Sequence, residues 1–499
     1  MMRAHDIFRL GLLTLLLTVA AGVLAAEDVT ARAMKLYEKH AYEEAGRLLR
    51  PQLAAMDSIS QPAARLTLGM IYLRSAELYQ ELQRSALPIE MDYLKKLAGQ
   101  KNANASRYAD FFLARALLEE DKLAEGVKLL QRFAGGSAVT PAYKAYANVE
   151  LGAAYWQQKQ SQQARAVWGT VGGKVPAEKA ALAAAYATAG VQERHLQDMA
   201  DEAMAETKKQ GKVPDTAMLI NLLRAYSQSG APEKALDLLA TFEYRNASYI
   251  ESLGQSKSIN FYDPGLLGSI AQAHLRMAIL YLEQAGRDPK LGNTAAYFLA
   301  DAYLMQGKAE QSQNQAALFL AQSQMPAQYR DHARSRQAAA QYLSGKHQVA
   351  NVIWMDLAEQ SANRPELLAE VILSCMQARA DCAKFEKRAV AASETGEGKK
   401  FFPLSVALGK YYLARKDYAR AVLYMEAGRD KANKNKIDVN DPVMLTGLAL
   451  AYYHNKKFSE SLEIYFEMSK QYPVVRQIQD AMQGIYAMEQ QSAGDVKIF

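Results

Sequence analysis

Two stretches of the chain carry the same residue types at the same intervals. In each, a tyrosine is followed after nine positions by a small residue, after four more by a large aromatic residue, and after a further eight by a proline. The residues are Tyr155, Ala164, Trp168 and Pro176 in the first stretch, and Tyr452, Ser461, Tyr465 and Pro473 in the second. An interval repeated in this way constrains the fold strongly, because a period of roughly 20 to 50 residues predicts an array of stacked supersecondary units.

The interval of nine and four positions recurs over most of the chain in uneven copies. Clear copies are Leu117, Gly126 and Leu130; Tyr226, Ala235 and Leu239; and Tyr412, Ala421 and Met425. Looser copies are Tyr186, His195 and Met199; and Tyr303, Ser312 and Ala316. The distances between successive copies vary, so we expect helices and linkers of unequal length.

Each element of the unit has a physical reason. A small residue one turn before the tyrosine, such as Gly152, lets a second helix approach closely, and Ala164 provides the matching gap on that helix. Trp168 lies one turn further along the same face and fills the space beside the contact. Short polar turns such as Gln158–Ser161 suit antiparallel helices, and Pro176 ends or redirects the second helix.

This unit resembles the tetratricopeptide repeat family, whose repeat is two antiparallel helices of about 34 residues. The resemblance implies an all-α fold, a right-handed α-solenoid of about ten to twelve antiparallel hairpins in two superhelical halves. Composition agrees, because strand-like alternation is scarce and the chain has only 14 prolines. The structural anchors are then Gly152, Tyr155, Ala164, Trp168, Tyr226, Ala235, Tyr412, Ala421, Tyr452, Ser461 and Tyr465.

The sequence divides into five predicted segments. They are a signal peptide at 1–25, an N-terminal solenoid at 26–242, an irregular connector at 243–268, a C-terminal solenoid at 269–490 and a flexible tail at 491–499. The connector is predicted where the sequence fits no hairpin and turn residues cluster. We expect the first hairpin and the last helix to cap the exposed apolar ends of the array.

The N-terminal segment has the features of an export signal. Arg3 and Arg9 precede an apolar run from Leu10 to Leu24, and small residues allow cleavage after Ala25 or Ala26. An uncleaved anchor is the alternative, but the run is short for a bilayer span. No later stretch is apolar enough to cross a membrane. We therefore expect a periplasmic product that does not span the membrane, and leave open its peripheral association with a complex at the outer membrane.

The charge balance gives little reason to expect a polyanionic partner. The formal net charge is +6, and removal of Arg3, Arg9 and Asp6 with the signal lowers it to +5. Basic clusters around Lys399 and Lys431 are interleaved with acidic and amide residues, which favours solvated turns. We expect other envelope proteins or peptides as partners, and no nucleic acid.

No pattern in the sequence indicates catalysis, so we expect neither an enzyme nor a cofactor or metal site. The seven histidines include no pair three or four residues apart that would hold a metal from one helical face. The stretch from Gly396 to Lys400 lacks the glycine and the hydroxyl residue that a phosphate loop requires. Neighbouring carboxylates such as Glu119 and Glu120 diverge on a helix.

The only two cysteines, Cys375 and Cys382, are seven residues apart on either side of a predicted turn between helices. In an oxidising compartment such a pair can close a hairpin with a disulfide, and two free buried thiols are the alternative. Disulfide-bearing relatives of this repeat class favour the bond by analogy. The spacing does not match a Cys-x-x-Cys redox site.

Helical geometry predicts which first-helix residues face the concave groove of such an array. If an anchor tyrosine points towards the second helix, its neighbours are rotated by about 100° and 200°. The candidate partner-binding residues are Trp156, Gln157, Arg224, Gln228, Asp301, Met305, Lys410, Tyr453 and His454. Their mixed character suits an extended peptide or a helix better than a polyanion.

Two functions follow as hypotheses. The first is a periplasmic protein-binding scaffold that assists the assembly or coupling of an envelope machine. The resemblance to exported arrays ranks polysaccharide export first, followed by outer-membrane protein or pilus assembly and cytochrome maturation. The second is a glycan- or peptidoglycan-binding protein that uses the aromatic residues of the groove.

Overall fold

The structure is a computed structural model that describes almost all of the chain after the predicted signal peptide. The described residues are 24–99, 103–190, 196–212, 214–241, 249–250, 259–260, 263, 265–322, 326–360, 364–395, 398–399, 401–434 and 441–494. Within them the chain is all-α, apart from one two-stranded antiparallel ladder in which each strand has two residues. The predicted all-α class is therefore confirmed.

The helices up to the connector are α1 to α11. Their bounds are α1 Leu24–Glu38, α2 Tyr42–Leu49, α3 Gln61–Ala98, α4 Ala103–Glu119, α5 Leu123–Ala134, α6 Pro141–Gln157, α7 Ser161–Trp168, α8 Pro176–Thr188, α9 Leu196–Lys209, α10 Thr216–Gln228 and α11 Pro232–Thr241. A 3₁₀ turn, Arg50–Ala55, follows α2. The two strands are β1, Tyr249–Ile250, and β2, Ile259–Asn260, which pair antiparallel.

Twelve further helices follow the ladder. Their bounds are α12 Gly265–Ala285, α13 Gly292–Met305, α14 Ala309–Leu320, α15 Ala327–Leu343, α16 His347–Glu359, α17 Pro365–Gln377, α18 Ala383–Glu394, α19 Phe402–Ala414, α20 Tyr418–Lys434, α21 Pro442–His454, α22 Phe458–Gln471 and α23 Arg476–Gly494. A 3₁₀ turn, Pro473–Val475, precedes α23. Twenty of the helices in the described residues form ten hairpins, and α3, α12 and α23 belong to none of them. Ten hairpins lie within the predicted range of ten to twelve.

Every hairpin turn in the described residues contains one residue with a left-handed backbone. These are His40, Asp121, Lys159, Gly190, Gly230, Gly307, Gly345, Arg379, Lys416 and Lys456. In the nine turns other than that of Gly190, the following N–H donates to a carbonyl five residues back, near the end of the first helix, as from Gln160 to Tyr155 and from Lys457 to Tyr452, both at 2.9 Å. This bond satisfies a carbonyl that a helix end leaves free. Where the anchor residue is a tyrosine, as in Tyr155 and Tyr452, its carbonyl therefore marks the end of the first helix.

Most of the predicted anchors are buried in the structure. Ala164, Ala235, Ala421, Ser461 and Tyr465 are completely buried, and Trp168, Tyr226, Tyr412 and Tyr452 are nearly so. Gly152 is buried, and a Cβ on it would overlap the Trp168 indole, whose Nε1 donates to the Val149 carbonyl at 3.2 Å. Tyr155 differs in being half-buried, with its hydroxyl accepting from Gln131 at 2.8 Å.

Successive hairpins are tied together by a recurring contact that the sequence interval did not reveal. The hydroxyl of Tyr226 donates to Asp201 on the second helix of the preceding hairpin, and Lys234 of its own hairpin pairs with Asp201 and covers the Tyr226 ring. The same contact recurs twice. Tyr412 donates to Glu386, which pairs with Arg420. Tyr452 donates to Glu426, which pairs with Lys457. The tyrosine therefore anchors its own hairpin and also bonds the previous one.

The contacts divide the chain into two compact units, each made of two separate stretches of sequence. Unit A comprises residues up to 75 and 277–461, and unit B comprises 76–276 and the residues from 462 onwards. The structure thus differs from the predicted contiguous halves, 26–242 and 269–490. The difference arises because α3, α12 and α22 each contribute residues to both units, which a search for hairpins alone does not detect.

The other predicted boundaries are only partly described. Residues 1–23 of the predicted signal peptide lie outside the described residues, as do 495–499 of the predicted tail. The connector is shorter than predicted, because α12 begins at Gly265, whose N–H donates to the Asp263 side chain at 3.0 Å. The tail also starts later than residue 491, since α23 continues to Gly494.

Helices α3 and α12 run antiparallel to each other within each unit. In unit A the Tyr72 and Tyr281 rings stack with centroids 6.0 Å apart. In unit B the Tyr79 and His274 rings stack at 5.3 Å. Some first helices are buried on all sides, as in α21, where every residue from Pro442 to Tyr453 is buried.

Candidate partner-binding surface

The predicted groove residues differ in how far the structure exposes them. Gln157 and Gln228 are exposed, and Trp156, Arg224, Asp301, Met305, Lys410 and His454 are half-buried. Tyr453 is only 7% exposed and packs edge-on against His454 and Phe458. The expectation that Tyr453 faces an open groove is wrong, because α21 is enclosed on every side.

In unit B, first helices α4, α6 and α10 bring charged residues together into what we term the unit B charge cluster: Arg115, Glu119, Glu150, Arg224 and Asp263. Arg115 donates to Asp263 at 2.6 Å and lies 3.2 Å from Glu150. Arg224 donates to Glu150 at 2.8 Å and lies 3.4 Å from Glu119. The side chains of Arg115 and Asp263 are 2% and 0% exposed, whereas those of Arg224 and Glu119 are 23% and 30% exposed. The cluster thus has a buried end and a partly open end.

Burial and ion pairing act in opposite directions on these carboxyls. Burial alone would raise the pKa of Glu150, but Arg224 and Arg115 outweigh it and lower that pKa. For Asp263 burial prevails over the attraction of Arg115, and the pKa is raised. Asp263 also accepts from the first N–H of α12, so the cluster fixes the start of that helix against α4.

In unit A, first helices α13, α15 and α17 form the unit A charge cluster: Asp301, His332, Arg336 and Glu370. The His332 ring lies between two carboxylates, with Nδ1 2.9 Å from Glu370 and Nε2 3.2 Å from Asp301. Arg336 Nε donates to Asp301 at 2.6 Å, and the Tyr297 ring lies 5.1 Å from the imidazole. All four charged side chains are 15–25% exposed, so a partner can reach them.

The two carboxylates hold His332 in its charged form. Burial lowers the pKa of His332, but Glu370 and Asp301 outweigh it and raise the pKa to about 9. Burial likewise opposes ionisation of the carboxyls, yet Arg336 and His332 lower the pKa of Asp301 and of Glu370 to about 2. At neutral pH the cluster therefore holds two positive and two negative charges, which balance.

This arrangement predicts a pH dependence for unit A. Because the folded pKa of His332 lies above its usual 6.5, the stabilisation is complete below about pH 6.5 and lost as the pH rises through 9. The carboxylates have lowered pKa values, so their contribution is present above about pH 4.5 and lost as the pH falls through 2. We expect His332→Gln to cost about 2 kcal/mol at pH 6 and little at pH 10. Urea unfolding at both pH values measures the difference.

A histidine NMR titration supplies the control for that prediction. The resonance that His332→Gln removes should titrate near pH 9. A midpoint for that resonance near 6.5 would contradict the cluster geometry.

Sequence reasoning identified Arg224 and Asp301 but missed most of the other members of the two charge clusters. Arg115, Glu150, Arg336 and Glu370 lie on first helices, which spacing alone treated as packing surfaces. A signal was available in Phe111–Leu118, where Arg115 is the one charge in an otherwise apolar stretch. A charge on such a helix face is expected to be buried together with a partner.

The two cysteines lie where the hairpin α17–α18 turns. Cys375 lies in the last turn of α17, and Cys382 precedes the first residue of α18. Their sulfurs are bonded, with Cα atoms 5.9 Å apart. Both residues are buried. The disulfide joins the two helices of one hairpin, as the sequence favoured.

Two further features of the described residues bear on function. None of the helices described is long and apolar enough to cross a membrane. Across the same part of the chain, no group of three or more His, Cys, Asp or Glu side chains is placed to hold a metal ion.

Comparison with known proteins adds little to this description. No family model and no curated protein sequence matches the chain. Among solved structures it is similar to the APC/C hetero-tetramer Cut9–Hcn1, with 13% identity over 94% of this chain and 98% of that one and a TM-score of 0.27. It is also similar to the P58(IPK) TPR domain, with 12% identity over 78% of this chain and 99% of that one and a TM-score of 0.21. For yeast Tom70 the identity is 11% over 94% of this chain and 96% of that one, with a TM-score of 0.30. TM-scores this low support no argument, so the fold assignment depends on the hairpins themselves.

Proposed function

We propose that this chain is a scaffold that binds other proteins through the first helices of its hairpins. The observation that carries the proposal is that α13, α15 and α17 present a charge-balanced, partly exposed cluster, with Asp301 at 21% and Glu370 at 25% side-chain exposure. Paired charges of this kind supply directional hydrogen bonds without a net field. Such a surface suits a folded segment or a peptide better than a polyanion.

We further propose that the scaffold works in the bacterial envelope, in the assembly or coupling of a machine there, with polysaccharide export ranked first. The predicted signal peptide at 1–25 and the bonded Cys375 and Cys382 support export, because structural disulfides persist in oxidising compartments. Mass spectrometry of the periplasmic fraction should find a mature N terminus at Ala26 or Glu27. A product retained in the cytoplasm with residue 1 intact would overturn this part of the proposal.

The structure offers less support for glycan binding. A carbohydrate platform needs exposed aromatic faces, whereas Tyr453 is buried and the Trp156 ring lies 5.9 Å from that of Trp168.

Site-specific photo-crosslinking in cells that make the protein tests partner binding. A photoreactive residue placed at Gln157 or Gln228 should yield discrete protein adducts, because both side chains are exposed on first helices. Matched positions on second helices, Glu125 and Lys387, are equally exposed and should yield few adducts. Soluble glycans added as competitors should leave the adducts unchanged.

Two results would contradict the proposal. Equal adduct yields at first-helix and second-helix positions would indicate random encounters. Retention of the purified mature protein on soluble glycans with micromolar affinity would favour the carbohydrate function instead.

A further inference from the structure

Glu90 of α3 is a carboxyl group placed where carboxyl groups are rarely found. Its side chain is completely buried, and neither oxygen has a hydrogen-bond partner among the described residues. Leaving a buried polar atom without a partner is costly, and leaving it charged is more so. None of the binding contacts described above uses Glu90, so its position requires a separate explanation.

The surroundings of Glu90 connect it to the buried end of the unit B charge cluster. On α3, Leu87 and Met91 flank Glu90 and pack against Ala116 and Leu117 of α4. Arg115 precedes these two residues and holds Asp263 at 2.6 Å. Glu90 thus lies beside the contact that fixes the start of α12.

The groups that act on Glu90 favour its neutral form. Burial is the main cause and the negative charge of Asp263 the second, and together they raise the pKa of Glu90 to about 8. Tyr465 of α22 also faces it, with its hydroxyl bonded to Ser85. No described cation pairs with Glu90, because Arg115 is engaged by Asp263 and Glu150. When Glu90 ionises, it adds an unpaired negative charge near the paired carboxylate of Asp263.

We propose that Glu90 is a proton-operated latch of unit B: protonated, it keeps Asp263 and the start of α12 packed against α4, and on losing its proton it loosens that contact. The latch is separate from the partner-binding surface and does not depend on the proposed function. It makes the ordering of residues 265–276 a function of pH.

The direction of the effect follows from linkage. The unfolded or loosened state has an ordinary glutamate pKa near 4.5, and the packed state has a higher one. Stabilisation of the packed state is therefore complete below about pH 4.5 and decreases as the pH rises through 8. Opening of the α12 start should become about tenfold or more frequent between pH 6 and pH 8.

Amide hydrogen exchange of the full mature chain tests the latch. After correction for the intrinsic pH dependence of exchange, amides in 265–276 of the unaltered protein should lose protection between pH 6 and pH 8. In Glu90→Gln, an isostere of the protonated acid, their protection should stay constant over this range. Glu125→Gln removes an exposed carboxylate on α5 and should keep the unaltered profile.

Internal controls make the result decisive. Amides of α15 in unit A report the His332 ionisation and should be unaffected by Glu90→Gln. Glu90→Met replaces the titrating carboxyl by an apolar side chain, and it should also give constant protection in 265–276. This variant replaces Glu90→Gln in the test if the glutamine variant does not fold. The proposal would be overturned if either folded variant lost as much protection between pH 6 and pH 8 as the unaltered protein does.

Discussion

Replacing Arg115 by methionine should destabilise unit B by about 3–5 kcal/mol. The guanidinium is 2% exposed and is the direct cationic partner of Asp263, whose side chain is 0% exposed. Methionine keeps much of the length and apolar contact but leaves the Asp263 carboxylate buried without a cationic partner. Breaking a buried ion pair in this way costs more than replacing both partners by apolar residues. Equilibrium urea unfolding followed by circular dichroism measures the change.

A matched arginine and a second substitution check that interpretation. Arg84 on α3 pairs with Glu81, but its side chain is 67% exposed, so Arg84→Met should change stability by less than about 1 kcal/mol. Adding Asp263→Asn to Arg115→Met should restore part of the loss, since a neutral amide replaces the unpaired charge. Equal losses for Arg84→Met and Arg115→Met would refute the buried pair.

Truncating Trp168 to alanine should cost a similar amount, about 3–5 kcal/mol. The indole is 2% exposed, its Nε1 donates to the Val149 carbonyl, and it occupies the space beside Gly152. Removing it leaves a cavity between α6 and α7 that neighbouring helices cannot close without moving. Thermal and urea unfolding of the purified chain both report the loss.

A double-mutant cycle with Gly152 isolates the close contact. Gly152→Ala alone should destabilise by about 1–3 kcal/mol, because the added methyl overlaps the indole. In the Trp168→Ala background the same methyl enters vacated space and improves helix propensity, so it should be neutral or stabilising. If the two effects add independently, the packing explanation of the repeat interval is wrong.

The intervals between small and large residues predicted the hairpins well because they encode a local contact between two neighbouring helices. The same reasoning overlooked one hairpin whose spacing is regular: Gln341, Ala350 and Trp354 stand nine and four apart, and Ala350 and Trp354 are completely buried. It was overlooked because Gln341 is polar where the other copies have tyrosine or leucine. Its carbonyl nevertheless accepts the turn bond from Lys346 at 2.9 Å.

Residue intervals could not predict contacts between segments that are distant in the sequence. The pairing of α3 with α12 joins residues about 200 positions apart, and its apolar residues have the same helical period whether they face a groove or a partner helix. The charge clusters were missed similarly, because Arg115 meets Asp263 only through the tertiary fold.

The composition of each unit from two distant stretches has a consequence for how the chain must be handled, in the cell and at the bench. Cutting it within the connector would not release two self-sufficient fragments, because residues 24–75 would be separated from 277–461 and residues 76–241 from the C-terminal helices. Synthesis proceeds from the N terminus, so unit A is incomplete until residue 461 has been made, and unit B until the last helix has been made. Until then the apolar faces of the unfinished units stay uncovered. We therefore expect the chain to need protection by a chaperone during biogenesis.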